Sequence, residues 1–110
     1  MNIKIIPCLN DNYSYLIHDP ISNMVAIVDP SEFLPCDKII NKNYKKLDFI
    51  LNTHHHYDHV GGNEELKKKY NSTVLGFEKD KNRIPAIDKV LMDNQEFKIG
   101  SLNFTTIFIP

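Results

Sequence analysis

At 110 residues and 42% hydrophobic content the chain has material for one hydrophobic core and not two, so a single domain over 1–110 is expected. Thirteen bases against fourteen acids leave a net charge of −1, which gives no support for a nucleic-acid or anionic-membrane partner. No segment approaches the apolar length of a membrane span, and a soluble protein is expected. Cys8 and Cys36 are the only cysteines, and the opening run Met1-Asn2-Ile3-Lys4-Ile5-Ile6 is too short for a signal peptide and meets Pro7. Reduced thiols in a cytoplasmic compartment, or in an organelle after loss of a transit segment, are therefore expected.

In chain order, Ile3 to Ile6, Ser14 to His18 and Met24 to Val28 read as three short strands. The turn formers Asn10-Asp11-Asn12 and Asp19-Pro20-Ile21-Ser22-Asn23 separate them, which predicts an antiparallel meander. Asp29-Pro30 ends the third strand, and Pro35 opens a helix through Ile39 and Ile40 to Lys42. Leu47 to Asn52 reads as a buried strand, because the unbroken apolar run Phe49-Ile50-Leu51 suits a strand with a helix layer on one face and a second sheet behind. A helix follows over Glu64 to Tyr70, acids first and bases last as its dipole prefers, with Asn63 as its predicted cap. Thr73 to Phe77 is a strand, Glu78 to Ile87 a charged connector and Lys89 to Met92 a short strand. Gln95 to Ile99 and Leu102 to Ile109 form a hairpin about Gly100-Ser101.

Chemistry concentrates in Thr53-His54-His55-His56-Tyr57-Asp58-His59-Val60-Gly61-Gly62-Asn63, which holds four of the five histidines. His54, His56 and Asp58 are two apart, so in an extended segment they leave one face of the backbone, while His59 can turn to a second point. One strand end can thus feed two neighbouring metal sites. Imidazoles with a carboxylate suit zinc, iron or manganese, whereas calcium or magnesium would call for an oxygen cage. The cluster contains no cysteine, which argues against a closed structural zinc finger. Gly61-Gly62 would allow a positive-φ turn beneath the metals, and His55 reads as a spacer. A triple histidine also occurs in purification tags, but a tag sits at a terminus and has no reason to precede Asp-His-x-Gly-Gly.

The string T-H-x-H-x-D-H resembles the signature of metallo-β-lactamase-fold hydrolases, and T-H-H-H-Y-D-H-V-G-G-N is similar to their glyoxalase II (hydroxyacylglutathione hydrolase) branch. Leu9-Asn10-Asp11-Asn12-Tyr13-Ser14-Tyr15-Leu16-Ile17, Ala26-Ile27-Val28-Asp29-Pro30 and Gly100-Ser101-Leu102-Asn103-Phe104 extend the resemblance along the whole chain. It implies an α/β (α+β) fold, the N-terminal half of an αββα sandwich. It also implies His54 and His56 as ligands of a first metal and Asp58 and His59 as ligands of a second, with Asp58 catalytic in orienting the hydroxide held between them. The implied cofactors are two zinc ions, with iron or manganese as alternatives. The implied reaction is hydrolysis of S-D-lactoylglutathione to glutathione and D-lactate, the second step of methylglyoxal detoxification. The other ligands and the glutathione-gripping residues would fall beyond Pro110, so the chain holds four of the seven ligands implied. Alone it is expected to be inactive and, with sheet edges and an apolar face uncovered, to self-associate.

Two other readings stand beside this one: another enzyme of the same fold, such as a persulfide dioxygenase with a single iron, and a non-catalytic metal-binding module. Asp29 is either an acceptor for a ligand imidazole N–H or an Asx turn with Pro30. Thr53 reads as the last strand residue or as a hydrogen-bonding group within the loop, His18 as a surface or edge histidine, and Tyr13 and Tyr15 as core or strand-face aromatics. Lys67-Lys68-Lys69 reads as a solvated helix face.

Overall fold

A six-stranded mixed sheet carries two crossover helices, in a computed structural model that describes residues 1–8, 12–53, 62–77, 84 and 87–107. Its strands are β1 (Asn2–Cys8), β2 (Asn12–His18), β3 (Val25–Val28), β4 (Phe49–Asn52), β5 (Thr73–Phe77) and β6 (Lys89–Leu91), adjacent in that order. The first three pair antiparallel, as the turn-rich spacing predicts, and β3 to β6 run parallel. Helix α1 (Phe33–Asn43) joins β3 to β4, and α2 (Asn63–Tyr70) lies between β4 and β5. A second sheet is the hairpin of β7 (Glu96–Ile99) and β8 (Leu102–Thr105). Among the described residues no helix is long and apolar enough to cross a membrane.

Strand alternation explains the layers. Leu16, Ile27, Ile50 and Val74 face one another in register across β2 to β5, each 0% exposed, and pack with Cys36 and Ile40 of α1 and Leu66 of α2. Burying one such side chain is worth about 1.5–3 kcal/mol, which is why this row fixes the register. The neighbouring positions point to the other face. There Ile3, Ile5, Tyr13 and Tyr15 on β1 and β2 are exposed, while Leu75 on β5 is buried. On β4, Ile50 and Asn52 are buried but Phe49 and Leu51 only half-buried, so the strand expected to be buried on both faces is fully covered on one.

Boundaries moved where tertiary contacts outweigh local signals. Helix α1 starts at Phe33, which puts Pro35 inside the first turn, where the missing N–H has no intrahelical acceptor to lose. Strand pairing runs as far as Cys8 opposite Asn12, so Asn12 belongs to a strand and not to the predicted turn. Met24 and Gln95 lie outside the strands expected to contain them.

Asp19 fastens the hairpin to the large sheet. Its carboxylate accepts hydrogen bonds from Ser22 Oγ at 2.6 Å, the Ser101 N–H at 2.8 Å and Ser101 Oγ at 2.7 Å. Gly100, at φ +59, brings the hairpin turn so close that a Cβ there would lie 1.8 Å from Ser22 Oγ and 2.6 Å from Asp19 Oδ2. The hydrogen bond from Ser22, then those from Ser101 and Ile21, hold the Asp19 carboxyl well below the usual carboxylate range against the opposing effect of burial. A lowered folded-state pKa stabilises the fold above the unfolded value of about 3.9 and ceases to do so as pH falls below it. Acid unfolding followed by circular dichroism should therefore be steeper in the wild type than in Asp19→Asn between pH about 4 and pH about 2. Parallel acid curves would remove Asp19 as the cause.

Candidate metal centre

The C-terminal ends of parallel strands are where open α/β sheets place their ligands, and β3 and β4 end side by side here. The candidate ligands His54, His56, Asp58 and His59 leave from the end of β4 and, with His55 and Gly61, lie outside the described residues. Among the described residues there is no group of three or more histidine, cysteine, aspartate or glutamate side chains able to hold a metal ion. What the structure gives is the frame from which the segment starts and to which it returns.

Two consecutive residues of the turn after β3 hold both ends. Asp29 Oδ1 accepts the Thr53 N–H at 2.7 Å, and Oδ2 accepts the Thr53 hydroxyl. The Pro30 carbonyl accepts the Gly62 N–H at 2.8 Å. Asp29 is itself at φ 51, a left-handed conformation an aspartate tolerates better than most residues, and it precedes a proline. Its backbone N–H donates to the Leu51 carbonyl at 2.9 Å and its carbonyl accepts from Ser14 Oγ at 2.8 Å. Such over-determination is what keeps a strained residue in place. Neither sequence reading of Asp29 named Thr53, and Thr53, read as a strand end or as a hydrogen-bonding group within the loop, carries the contact next to the first candidate ligand.

Two expectations about the far end of the segment are corrected. Gly62 has φ −97, so a positive φ is not what calls for glycine. The reason is proximity: a Cβ would lie 3.0 Å from the Pro30 carbonyl oxygen and 3.2 Å from the Phe33 nitrogen, both backbone atoms. Gly62 is also the cap position of α2, and Asn63 is its first helical residue. The Asn63 side chain turns sideways to the Asn52 amide instead of capping, with Asn63 Nδ2 donating to Asn52 Oδ1 at 2.6 Å and Asn52 Nδ2 donating to Asn63 Oδ1 at 3.2 Å. This pair escaped the sequence reading. The one available signal was an asparagine on each side of the histidine run.

Around the frame, the lysine run proves to be partly structural. Lys69 Nζ lies 2.7 Å from Asp37 Oδ2 and Lys67 Nζ 2.6 Å from Asp88 Oδ1, joining α2 to α1 and to the residue before β6. Burial raises the Asp37 carboxyl, but the hydrogen bonds from Lys69 and Tyr70 outweigh it and the net shift is downward. Cys8 and Cys36 are free and buried with sulfurs 3.7 Å apart, and burial, followed by the neighbouring Cys8, pushes the Cys36 thiol up to about 12. A thiol held neutral in this way is a core group and a poor metal ligand. His18 does not lie on a sheet edge: it ends the interior strand β2, half-buried between Asn2 and Val25, with Nε2 2.9 Å from Asn23 Oδ1 and its ring stacked on Tyr44. The donor set at the end of β4, three imidazoles and a carboxylate with one spacer, has the chemistry of a zinc-type site.

Residues 10–95 match the family model described as the Metallo-beta-lactamase superfamily, and the chain belongs to that superfamily. Its solved likenesses agree on the fold. The BLEG-1 B3 metallo-beta-lactamase superposes with a TM-score of 0.83 at 18% identity, covering 94% of this chain and 59% of that one. ETHE1 from Myxococcus xanthus superposes at 0.76 and 23% identity, covering 96% and 47%. Among curated relatives, the hydroxyacylglutathione hydrolase of Pelagibacter ubique is 54% identical over 96 residues, 87% of this chain and 40% of that protein. The enzyme of the same name from Methylococcus capsulatus is 44% identical over 110 residues, 100% of this chain and 43% of that one. The chain thus spans about two fifths of the length of the curated relatives it matches.

Proposed function

We propose that the chain is the N-terminal, ligand-bearing part of a hydroxyacylglutathione hydrolase that cleaves S-D-lactoylglutathione to glutathione and D-lactate. The 54% identity to a hydrolase of that name carries the reading, and the histidine-rich string at the end of β4 supplies the chemistry it needs. His54 and His56 would hold one zinc ion and Asp58 and His59 a second. A metal bound there supplies a nucleophile at neutral pH, because coordination lowers the pKa of water from about 15.7 to about 7.

The chain's own residues then have three tasks. The imidazoles hold the metals, and the Asp29–Thr53 contact fixes where His54 begins. Asp58 accepts a hydrogen bond from the attacking hydroxide and turns its lone pair toward the thioester carbonyl. When the carbon–sulfur bond breaks the electron pair leaves on sulfur, and a thiolate is stable enough that no strong general acid is required. The reading also makes the isolated chain prone to self-association, a reading supported by the exposed Ile3, Ile5, Tyr13 and Tyr15 on one face of the β1–β2 edge.

The test is a chimera of residues 1–110 with the part of the Methylococcus capsulatus enzyme that follows its matched region. It should hydrolyse S-D-lactoylglutathione, read as loss of the thioester absorbance, and His56→Ala should lower the rate by at least about a thousandfold, as expected when a group required by the transition state is removed. A zinc-loaded chimera that leaves hydroxyacylglutathione thioesters intact would overturn the assignment.

A further inference from the structure

The sheet offers a second device at this site, and we infer that the Asn52–Asn63 amide pair is a clasp that presets the ligand segment for metal uptake. The inference rests on the metal-ligand reading above and adds to it two positioning residues that touch neither metal nor substrate.

The argument starts from burial. Asn52 is 5% exposed and Asn63 0%, in the layer where Ile50 and Leu66 form the core. A buried amide costs free energy unless its hydrogen bonds are made, and two apolar residues would fill the same space without that requirement. What an amide pair adds is direction. Each amide donates to the other's oxygen, so one relative placement of the two backbones satisfies both and a shift of either end satisfies neither.

The pair joins the last residue of β4 to the first of α2, and the candidate ligands all lie between. Together with Thr53 on Asp29 and Gly62 on Pro30, it holds the two ends of the segment beside each other. A segment with fixed ends has less conformational freedom to lose when its ligands converge, so the benefit should appear in metal affinity. Packing alone would not predict this.

Zinc affinity of the 110-residue chain, measured by competition with a chromophoric chelator, separates the two roles when set beside urea unfolding of the metal-free chain. Asn52→Asp sets a carboxylate oxygen against Asn63 Oδ1. Asn52→Ala with Asn63→Ala removes both amides of the pair together. Both should weaken zinc about tenfold or more, and both should alter the visible spectrum of the cobalt-substituted site. The double variant should also recover metal-free stability relative to either single alanine variant without recovering affinity. A folded double variant that binds zinc within about twofold of wild type, or affinities that simply track stability, would overturn the clasp. Should the double variant fail to fold, Asn52→Asp decides by the same affinity criterion. His56→Ala is the control. If it too leaves zinc binding unchanged, the metal-ligand reading fails and the clasp with it; if it abolishes binding while the asparagine variants bind normally, only the clasp fails.

Discussion

Asp29→Ala is expected to lose more than about 2 kcal/mol of stability and to weaken zinc binding by about 10–100-fold. Three effects combine. The Thr53 N–H and hydroxyl lose a charged acceptor in part-buried hydrogen bonds, worth about 1.5–3 kcal/mol. Alanine at the φ of 51 that Asp29 adopts costs roughly 1–2 kcal/mol more. The start of the ligand segment is then no longer fixed. Asp29→Asn separates fold from site, because asparagine tolerates the left-handed backbone but turns at least one amide hydrogen toward the Thr53 donors. It should fold and still bind zinc less tightly in a chelator competition. Wild-type zinc affinity in Asp29→Asn would remove this carboxylate from the account of the site.

Leu66→Ala is expected to cost about 2–5 kcal/mol, a large part of the roughly 5–15 kcal/mol that holds a domain of this size together. Leu66 is 0% exposed and is the residue through which α2 enters the core with Ile50 and Val74. The helix has eight residues, too few to be stable alone, so its place depends on this packing together with the Lys69–Asp37 and Lys67–Asp88 pairs. Those pairs are partly exposed and each is worth at most about 1 kcal/mol. Lys68→Ala on the exposed side should change stability by no more than about 0.5 kcal/mol. Urea unfolding of both variants tests the contrast, and a Leu66→Ala chain as stable as Lys68→Ala would contradict it.

Patterns local in sequence were legible from the residues. Turn formers between short apolar runs gave the antiparallel meander of β1 to β3, the unbroken Phe49-Ile50-Leu51 gave a parallel strand buried on its Ile50 face and half-buried at Phe49 and Leu51, and Gly100-Ser101 gave the hairpin. The histidine-rich string is also local in sequence, and its reading as a ligand set is part of the proposal above. Contacts between distant residues were not legible. The Asp19–Ser101 tie spans 82 positions and leaves no periodicity behind. Asn63 looked like a cap because asparagine beside a helix start usually is one, and the approach of Asn52 from β4 gives its amide a partner across the sheet. Gly62 looked like a positive-φ glycine, and the backbone of Pro30 and Phe33 shows that it is needed for space. The lysine run looked solvated until α1 and the residue before β6 placed Asp37 and Asp88 beside it.

The central claim is that the segment between Thr53 and Gly62 holds the metal, and X-ray absorption at the zinc edge of the loaded chain tests it most directly. The account predicts nitrogen and oxygen neighbours near about 2.0–2.1 Å with the outer-shell scattering of imidazole, lost in His54→Ala with His56→Ala. A sulfur shell near about 2.3 Å, which would point to Cys8 and Cys36, or a spectrum unchanged in that double variant, would contradict it.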